Sequence, residues 1–135
     1  MTHILVRDDG FHPEDWQAGF TAPDKAATGD ALDLAADTGA HALAGRLADA
    51  PAVRIAFASF ADGRGFTLAR QLRAAGYRGR LRAAGHVLAD QYAMARRAGF
   101  DEVEIDAALA ARQPENHWLA RANWRSHDYQ SRLRG

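Results

Sequence analysis

Two loops of the sequence carry residues whose types and spacing could do chemistry. The first, residues 59–67, follows an apolar run and leads into a predicted helix. Backbone N–H groups at a helix start, together with the guanidinium of Arg64, form a site for a small anion. In the alternative interpretation, the glycines serve a tight turn and Arg64 pairs with Asp62 or with a carboxylate of the C-terminal tail. The candidate ligand-binding residues of this loop are Asp62, Gly63, Arg64, Gly65 and Thr67.

The second loop follows the next predicted strand, so the sequence predicts that it lies beside the first. His86 can act as a general acid or base, or can bind an anion when protonated. Asp90 lies one helical turn further on and can orient the imidazole. In the alternative interpretation, the ring of His86 only caps backbone N–H groups, since the sequence places no nucleophile or second histidine nearby. The candidate residues of this loop are Gly85, His86, Asp90 and Gln91.

Metal and thiol chemistry find little support in the sequence. The chain has no cysteine, which excludes disulfides, thiolate catalysis and Cys-ligated metal clusters. Its six histidines show no H-x-H or H-E-x-x-H spacing, so we predict no metal site, and no cofactor can be assigned. Glu102, Glu104 and Asp106 share one face of a predicted strand and could bind a divalent ion. The preferred interpretation is a solvated strand edge, with Asp106 capping the next helix.

The elements that must position these loops alternate between strand and helix. Apolar runs predict strands at residues 4–6, 31–36, 53–60, 80–84 and 103–105, the first of them at an edge. Apolar spacings of three and four predict helices at residues 39–50, 66–75, 87–98 and 107–111. The alternation predicts an α/β fold with a small, mainly parallel sheet flanked by helices. The sheet is expected to be open or partial-barrel-like, with binding sites at the carboxyl ends of its strands.

The two ends of the chain differ from this regular centre. We predict a single α/β domain over residues 1–135, in which residues 1–30 form a strand and an irregular arm held by Trp16 and Phe20. Residues 114–135 form an aromatic and basic tail. Trp118 and Trp124 are predicted to cover the open edge of the sheet, with a subunit contact in a homodimer as the second interpretation. Binding of single-stranded nucleic acid ranks third.

Composition and charge narrow the partners further. Lys plus Arg and Asp plus Glu each number 17, so the formal net charge is zero. The cancellation is between two regions, because residues 1–52 carry a charge of −6 and residues 53–135 a charge of +6. A generally basic nucleic-acid binder is therefore excluded, but a local site for a small anion is not. No apolar stretch is long enough for a membrane span and no signal peptide is recognisable, so we expect a cytoplasmic protein.

The chain has 31 alanines, so we expect a thin core in which helices pack closely on small side chains.

The centre of the chain resembles a bacterial family, Domain of Unknown Function 934. The resemblance rests on residues 60–73 (FADGRGFTLARQLR), residues 76–85, Asp90-Gln91 and residues 96–101. It covers residues 53–105 well and the pair Tyr129-Gln130 loosely. The sequence departs from the family pattern at His86, where an acidic residue is usual, and at Ala98, where cysteine is frequent.

The resemblance implies a pathway more than a mechanism. Members of the family are usually encoded among genes of assimilatory sulfate and sulfite reduction. They are often labelled oxidoreductases because of these neighbouring genes, and no catalytic residues are established for them. The first hypothesis is therefore an accessory protein that holds a small oxyanion or docks on sulfite reductase or another sulfur-assimilation enzyme. A module or enzyme that binds a phosphorylated metabolite is the second, and a structural interaction subunit is the third. Whether the chain is catalytic at all stays open.

Overall fold

A computed structural model describes residues 3–43 and 45–125 of the chain, and these residues form one sheet packed against helices. The strands are β1 (His3–Arg7), β2 (Gly10–His12), β3 (Leu32–Ala35), β4 (Ala52–Phe57), β5 (Arg80–Gly85) and β6 (Glu102–Asp106). The α-helices are α1 (Arg64–Ala74), α2 (Tyr92–Ala98), α3 (Ala107–Arg112) and α4 (Glu115–Leu119). Short 3-10 helices cover Ala40–Leu43, Leu47–Asp49 and Ala89–Gln91.

The sheet has the strand order β2-β1-β6-β5-β4-β3. Strands β3 to β6 are parallel neighbours in sequence order, whereas β1 runs antiparallel to both β6 and β2. The connections from β3 to β6 all step in the same direction along the sheet. Because such crossovers are right-handed, their helices lie on one face of the sheet. The prediction of an α/β fold with a mainly parallel, open sheet is confirmed, because the sheet does not close into a barrel.

The helix-covered face of the sheet is apolar. Alternate strand residues such as Ile55, Leu81 and Val103 are completely buried there and belong to one core cluster with residues of the helices. Ala69 of α1 and Ala95 of α2 are also fully buried in this cluster. These small side chains allow the close helix packing that the composition predicted.

The opposite face of the sheet is ionic and is crossed by the arm, here residues 13–21. Arg82 and Glu102 are buried on this face, and they stand opposite each other on β5 and β6. The arm contributes Phe20, whose ring lies 4.6 Å from the guanidinium carbon of Arg54 and 5.0 Å from that of Arg82. The sheet thus has a second covered face that contains charges rather than aliphatic side chains.

Several predicted elements are wrong in type or place. The helix predicted at residues 39–50 is replaced by two 3-10 turns, and Gly45 between them has a φ of +81°, outside the helical region. β1 is not an edge strand, since β2 and β6 pair with its two sides. β4 ends at Phe57 rather than at residue 60. The preferred interpretation of Glu102 and Glu104 as a solvated edge is also wrong, because β6 lies inside the sheet and Glu102 is only 2 % exposed.

The predicted cap of the third helix and the first part of the predicted tail lie within the described residues, which end at Arg125. Asp106 caps α3, accepting a hydrogen bond from the backbone N–H of Leu109 at 2.7 Å. Trp118 is buried edge-on against Tyr92, in line with core cover. Residues 126–135, including the Tyr129-Gln130 pair, lie outside the described part of the chain. No helix within the described residues is long and apolar enough to span a membrane.

Candidate functional site

A small cavity opens at the carboxyl ends of the parallel strands, where ligands bind in open α/β sheets. Gly85 ends β5, Asp106 ends β6, and His3 reaches the same edge because β1 runs antiparallel to β6. The cavity has a volume of about 140 Å³. Its lining residues are His3, Phe60, Gly85, His86, Glu104, Ile105, Asp106, Leu109 and Arg112.

The second loop holds His86 at the mouth of this cavity. Gly85 has a φ of +104°, and a Cβ at this position would lie 2.8 Å from the carbonyl oxygen of Phe57. That close approach lets the backbone N–H of His86 donate to the same carbonyl at 3.1 Å, while Nδ1 of the ring lies 3.2 Å from it. The imidazole packs edge-on against Phe60, with ring centroids 4.9 Å apart. Within residues 3–43 and 45–125, Nε2 of His86 has no hydrogen-bond partner.

Gln91 ties the two loops together rather than facing the cavity. Its Oε1 accepts a hydrogen bond from the backbone N–H of Leu88 at 2.8 Å, and its Nε2 donates to the carbonyl oxygen of Phe60 at 2.9 Å. Asp90 is exposed and pairs with Arg121 at 3.0 Å. Gln91 is therefore a positioning residue for Phe60, and Asp90 does not orient His86 as the sequence suggested.

The first loop reaches the cavity only through Phe60, and none of its predicted ligand-binding residues lines the cavity. Arg64 donates from Nε to Oδ1 of Asp62 at 2.9 Å and from Nη2 to Oδ2 at 3.1 Å. The same guanidinium lowers the pKa of Asp62. Gly65 packs beneath the ring of Phe57, where a Cβ would collide with it, and Thr67 is exposed on α1. The geometry matches the alternative in which Arg64 pairs with Asp62 and the glycines, with Gly63 at the N-cap, serve local packing.

Behind the cavity, Arg82 organises the ionic face of the sheet. Its Nη1 and Nη2 donate to the two carboxylate oxygens of Glu14 at 2.6 and 2.7 Å, a fork-to-fork pair. Its Nε donates to Glu102 at 2.7 Å, and Nη1 donates also to Glu104 at 2.8 Å. These bonds outweigh the desolvation of Arg82 and raise the pKa of the guanidinium. The bond from Arg82 holds the pKa of Glu14 at about 2.

Three potential metal ligands meet beside Arg82. One atom each of His3, Glu14 and Glu104 lie within 4.8 Å of one another, and Nε2 of His3 is 2.8 Å from Oε1 of Glu14. Nη1 of Arg82 lies within hydrogen-bond distance of both carboxylates, so the guanidinium already takes the place between them that a cation would need. The cluster therefore works as a charge network of the protein, and a cation there would have to compete with a buried arginine.

The charged groups that line the cavity differ in whether they have a counter-ion. The carboxylate of Glu104 is neutralised by Arg82 and Arg54, and that of Asp106 is engaged at the start of α3. Arg112 is exposed at the end of α3, and no carboxylate among the described residues pairs with it. A guanidinium without a counter-ion is a donor suited to oxyanions. Because Nδ1 of His86 faces the carbonyl oxygen of Phe57, Nε2 can donate to an oxyanion only when both ring nitrogens carry a proton.

Sequence reasoning found only part of this site. Gly85 and His86 line the cavity, whereas the other predicted residues lie outside it. His3 was missed because nothing in the local pattern shows that β1 pairs with β6. Glu104 was considered as a ligand of a divalent ion or as part of a solvated strand edge, and not as a residue of this cavity. The position of Arg112, one helix after the carboxyl end of β6, is a signal that could have been used.

Comparison with known proteins gives one match. A family model described as "Bacterial protein of unknown function (DUF934)" matches residues 31–135. The matched range includes β3 to β6 and the four α-helices, but not β1, β2 or the arm. No curated protein and no solved structure matches the chain.

Proposed function

The chain belongs to the DUF934 family of bacterial proteins, and on that premise we propose that it is an accessory protein of assimilatory sulfite or sulfate reduction that binds a small oxyanion. The cavity at the carboxyl ends of β5 and β6 is the proposed binding site. The resemblance to proteins encoded with sulfur-assimilation genes supports the pathway. The geometry of the cavity supports the class of ligand.

The convergence of Arg112 and His86 on one small cavity carries the proposal. A guanidinium fork can donate two parallel hydrogen bonds to two oxygens of a tetrahedral or pyramidal oxyanion. Nε2 of His86 can supply a further donor when both ring nitrogens carry a proton, since Nδ1 already faces the carbonyl oxygen of Phe57. Phe60 closes one side of the imidazole, which limits the directions from which the ring can be approached.

The size of the cavity favours an inorganic ion over a phosphorylated metabolite. Sites for drug-sized ligands have volumes of about 300–1,000 Å³. The volume of about 140 Å³ here is smaller and suits an ion such as sulfite or sulfate. The chain has no cysteine and so no thiol for electron transfer. In the proposed role it holds the oxyanion, and the electrons come from a partner reductase.

Binding of sulfite and sulfate by purified protein tests the site. We expect titration calorimetry to detect binding, and saturating ligand at a hundredfold excess over Kd to stabilise the fold by about 2.7 kcal/mol. Arg112→Gln should weaken binding at least about tenfold, which corresponds to about 1.4 kcal/mol. Arg64→Gln is the matched control, since this exposed arginine lies in the first loop and is already paired with Asp62.

Three results would count against the site: no binding of either ion, equal binding by Arg112→Gln and the unmodified protein, or a loss with Arg64→Gln as large as with Arg112→Gln. The pathway is tested separately by sulfite-reductase turnover in extracts with and without the protein. We expect faster turnover with the protein present and co-purification with the reductase. Unchanged turnover together with no association would refute the accessory role.

A further inference from the structure

A second cavity lies at the opposite edge of the sheet, where the parallel strands begin. It is a groove of about 690 Å³ between the 3-10 segment, described for residues 40–43 and 45–51, and the loop of residues 75–79 that precedes β5. Its lining residues include Ala40, Leu43, Leu47, Ala50, Tyr77 and Arg78. A six-residue strand is about 20 Å long, so this groove is well separated from the proposed oxyanion-binding cavity at the carboxyl ends of β5 and β6, which we call the oxyanion cavity.

The floor of the groove is apolar and uncharged. Leu43 and Tyr77 are buried there, and Leu47 is partly buried. The hydroxyl of Tyr77 donates to the carbonyl oxygen of Ala50 at 3.1 Å. Burial raises the pKa of Tyr77 to about 12, which keeps this hydroxyl protonated in neutral solution. A ligand body in contact with this floor must therefore be apolar or aromatic.

A basic cleft of about 470 Å³ adjoins the groove and shares Gly76, Tyr77 and Arg78 with it. Two of its arginines are already neutralised, since Arg73 pairs with Asp101 at 3.0 Å and Arg96 pairs with Asp8 at 3.1 Å.

Two arginines of the cleft are left without a counter-ion. In the part of the chain that the structure describes, no carboxylate pairs with Arg78 or Arg125. Arg125 instead stacks on Trp124, with its guanidinium carbon 4.8 Å from the ring centroid. Arg78 is exposed and lines both the groove and the cleft, so a positive charge without a counter-ion borders the apolar groove.

We propose that the groove and cleft together bind an organic anion with an apolar body, of the class of a medium-chain carboxylate. The apolar body would lie on Leu43, Leu47 and Tyr77, and the carboxylate would pair with Arg78. The volume of the groove falls within the range of about 300–1,000 Å³ that is usual for such ligands. Neither the oxyanion cavity nor the proposed role in sulfur assimilation uses any of these residues.

Decanoate, kept below its micelle-forming concentration, is the probe for this site. We expect titration calorimetry to show saturable binding of decanoate. Decyltrimethylammonium, which has the same body and the opposite charge, should bind at least tenfold more weakly. Acetate, which has the charge without the body, should not bind measurably. These comparisons test separately the need for an apolar body and the need for a negative charge.

Two substitutions and one control locate the binding. Arg78→Gln should weaken decanoate binding about tenfold, and Leu47→Glu should abolish it by placing a negative charge in the groove. Arg70→Gln is the matched control, because Arg70 is exposed on α1 and lines neither cavity. Thermal unfolding of each variant shows whether it is folded, and Arg78→Gln carries the test if Leu47→Glu is not.

The proposal is overturned if decanoate does not bind, if the cationic analogue binds equally well, or if Arg78→Gln and Arg70→Gln behave alike. A concentration-dependent dimer that prevents decanoate from binding would also overturn it, since a second copy would then cover the groove. Arg112→Gln should leave decanoate binding unchanged. Failure at this site can therefore be told apart from failure at the oxyanion cavity.

Discussion

The same strands present aliphatic side chains to the helices on one face of the sheet and charged side chains to the arm on the other. On β5, Leu81 belongs to the apolar core whereas its neighbour Arg82 bonds to three glutamates. Both side chains are completely buried. Alternate side chains of a strand point to opposite faces of the sheet, so apolar and charged residues are separated. This alternation does not determine which of the two faces is covered.

The two faces are stabilised by different physical effects. Burial of apolar area stabilises the helix-covered face and needs no particular geometry. On the arm-covered face, a buried charge is tolerated only when it is paired and hydrogen-bonded. Four arginines there meet five carboxylates, namely Arg7, Arg54, Arg80 and Arg82 with Glu14, Asp15, Asp33, Glu102 and Glu104. Within the described residues, no buried side-chain nitrogen or oxygen lacks a hydrogen-bond partner.

Removal of the central cation should have the largest effect on this comparison. Arg82→Met keeps an unbranched side chain of similar length but leaves Glu102 buried with fewer partners. Breaking a buried ion pair from one side costs about 3–5 kcal/mol. We expect a loss of this size in the free energy of unfolding, measured by urea denaturation.

A second substitution shows whether the loss in the free energy of unfolding comes from a carboxylate left without a counter-ion. Adding Glu14→Gln to Arg82→Met should recover part of the stability, because Arg82 is the one arginine among the described residues that pairs with Glu14, and the uncompensated carboxylate is then gone. If Arg82→Met lowers the free energy of unfolding by less than about 1 kcal/mol, the ionic face does not depend on its central arginine. The proposed difference in what stabilises the two faces would then be refuted.

Acid should act on the ionic face with a smaller effect. The guanidiniums of Arg82 and Arg80 respectively hold the pKa values of Glu14 and Asp15 at about 2, below the ordinary 4.5 and 3.8. Because these values are lowered in the folded protein, their stabilisation is complete above about pH 4.5 and is lost as the pH falls towards 2. Glu14→Gln should remove about 1–3 kcal/mol of stability at pH 7.

The pH dependence itself provides the internal check. Between pH 5 and pH 2, the unfolding free energy of Glu14→Gln should fall less steeply than that of the unmodified protein. Parallel slopes for the two proteins in urea denaturation across this range would show that the arm does not contribute through its charge.

The smallest effect is expected on the apolar face. Ile55→Val removes one methylene group from a completely buried side chain, and such changes cost about 0.5–1.5 kcal/mol. This loss should be the same at pH 7 and pH 4, since no titrating group is involved. A loss that varied with pH would mean that the two faces are coupled through the sheet rather than independent.

The sequence predicted one of these faces well. Apolar runs located β4, β5 and β6 to within three residues at each end, and the glycines and Asp106 marked helix boundaries, because these signals are local. The ionic face escaped prediction since its pairs are remote in the chain: Arg82 and Glu14 are 68 positions apart, and Arg7 and Glu102 are 95 apart. The cavity at the carboxyl ends of the strands was only partly predicted for the same reason, because His86 follows a local pattern whereas His3 reaches the cavity through the long-range pairing of β1 with β6.

The pairing of β1 with β6 sets the order in which the protein can assemble. Ile4 stands opposite Ile105, so about a hundred residues must emerge from the ribosome before this part of the sheet can close. Until then, β1 has only β2 as a strand partner, and the ionic face lacks Glu102 and Glu104. Contacts of such long range slow folding, because the entropy of loop closure is lost before the contacts form. During synthesis, the parallel unit from β3 to β5 can form first, and the ionic face is completed last.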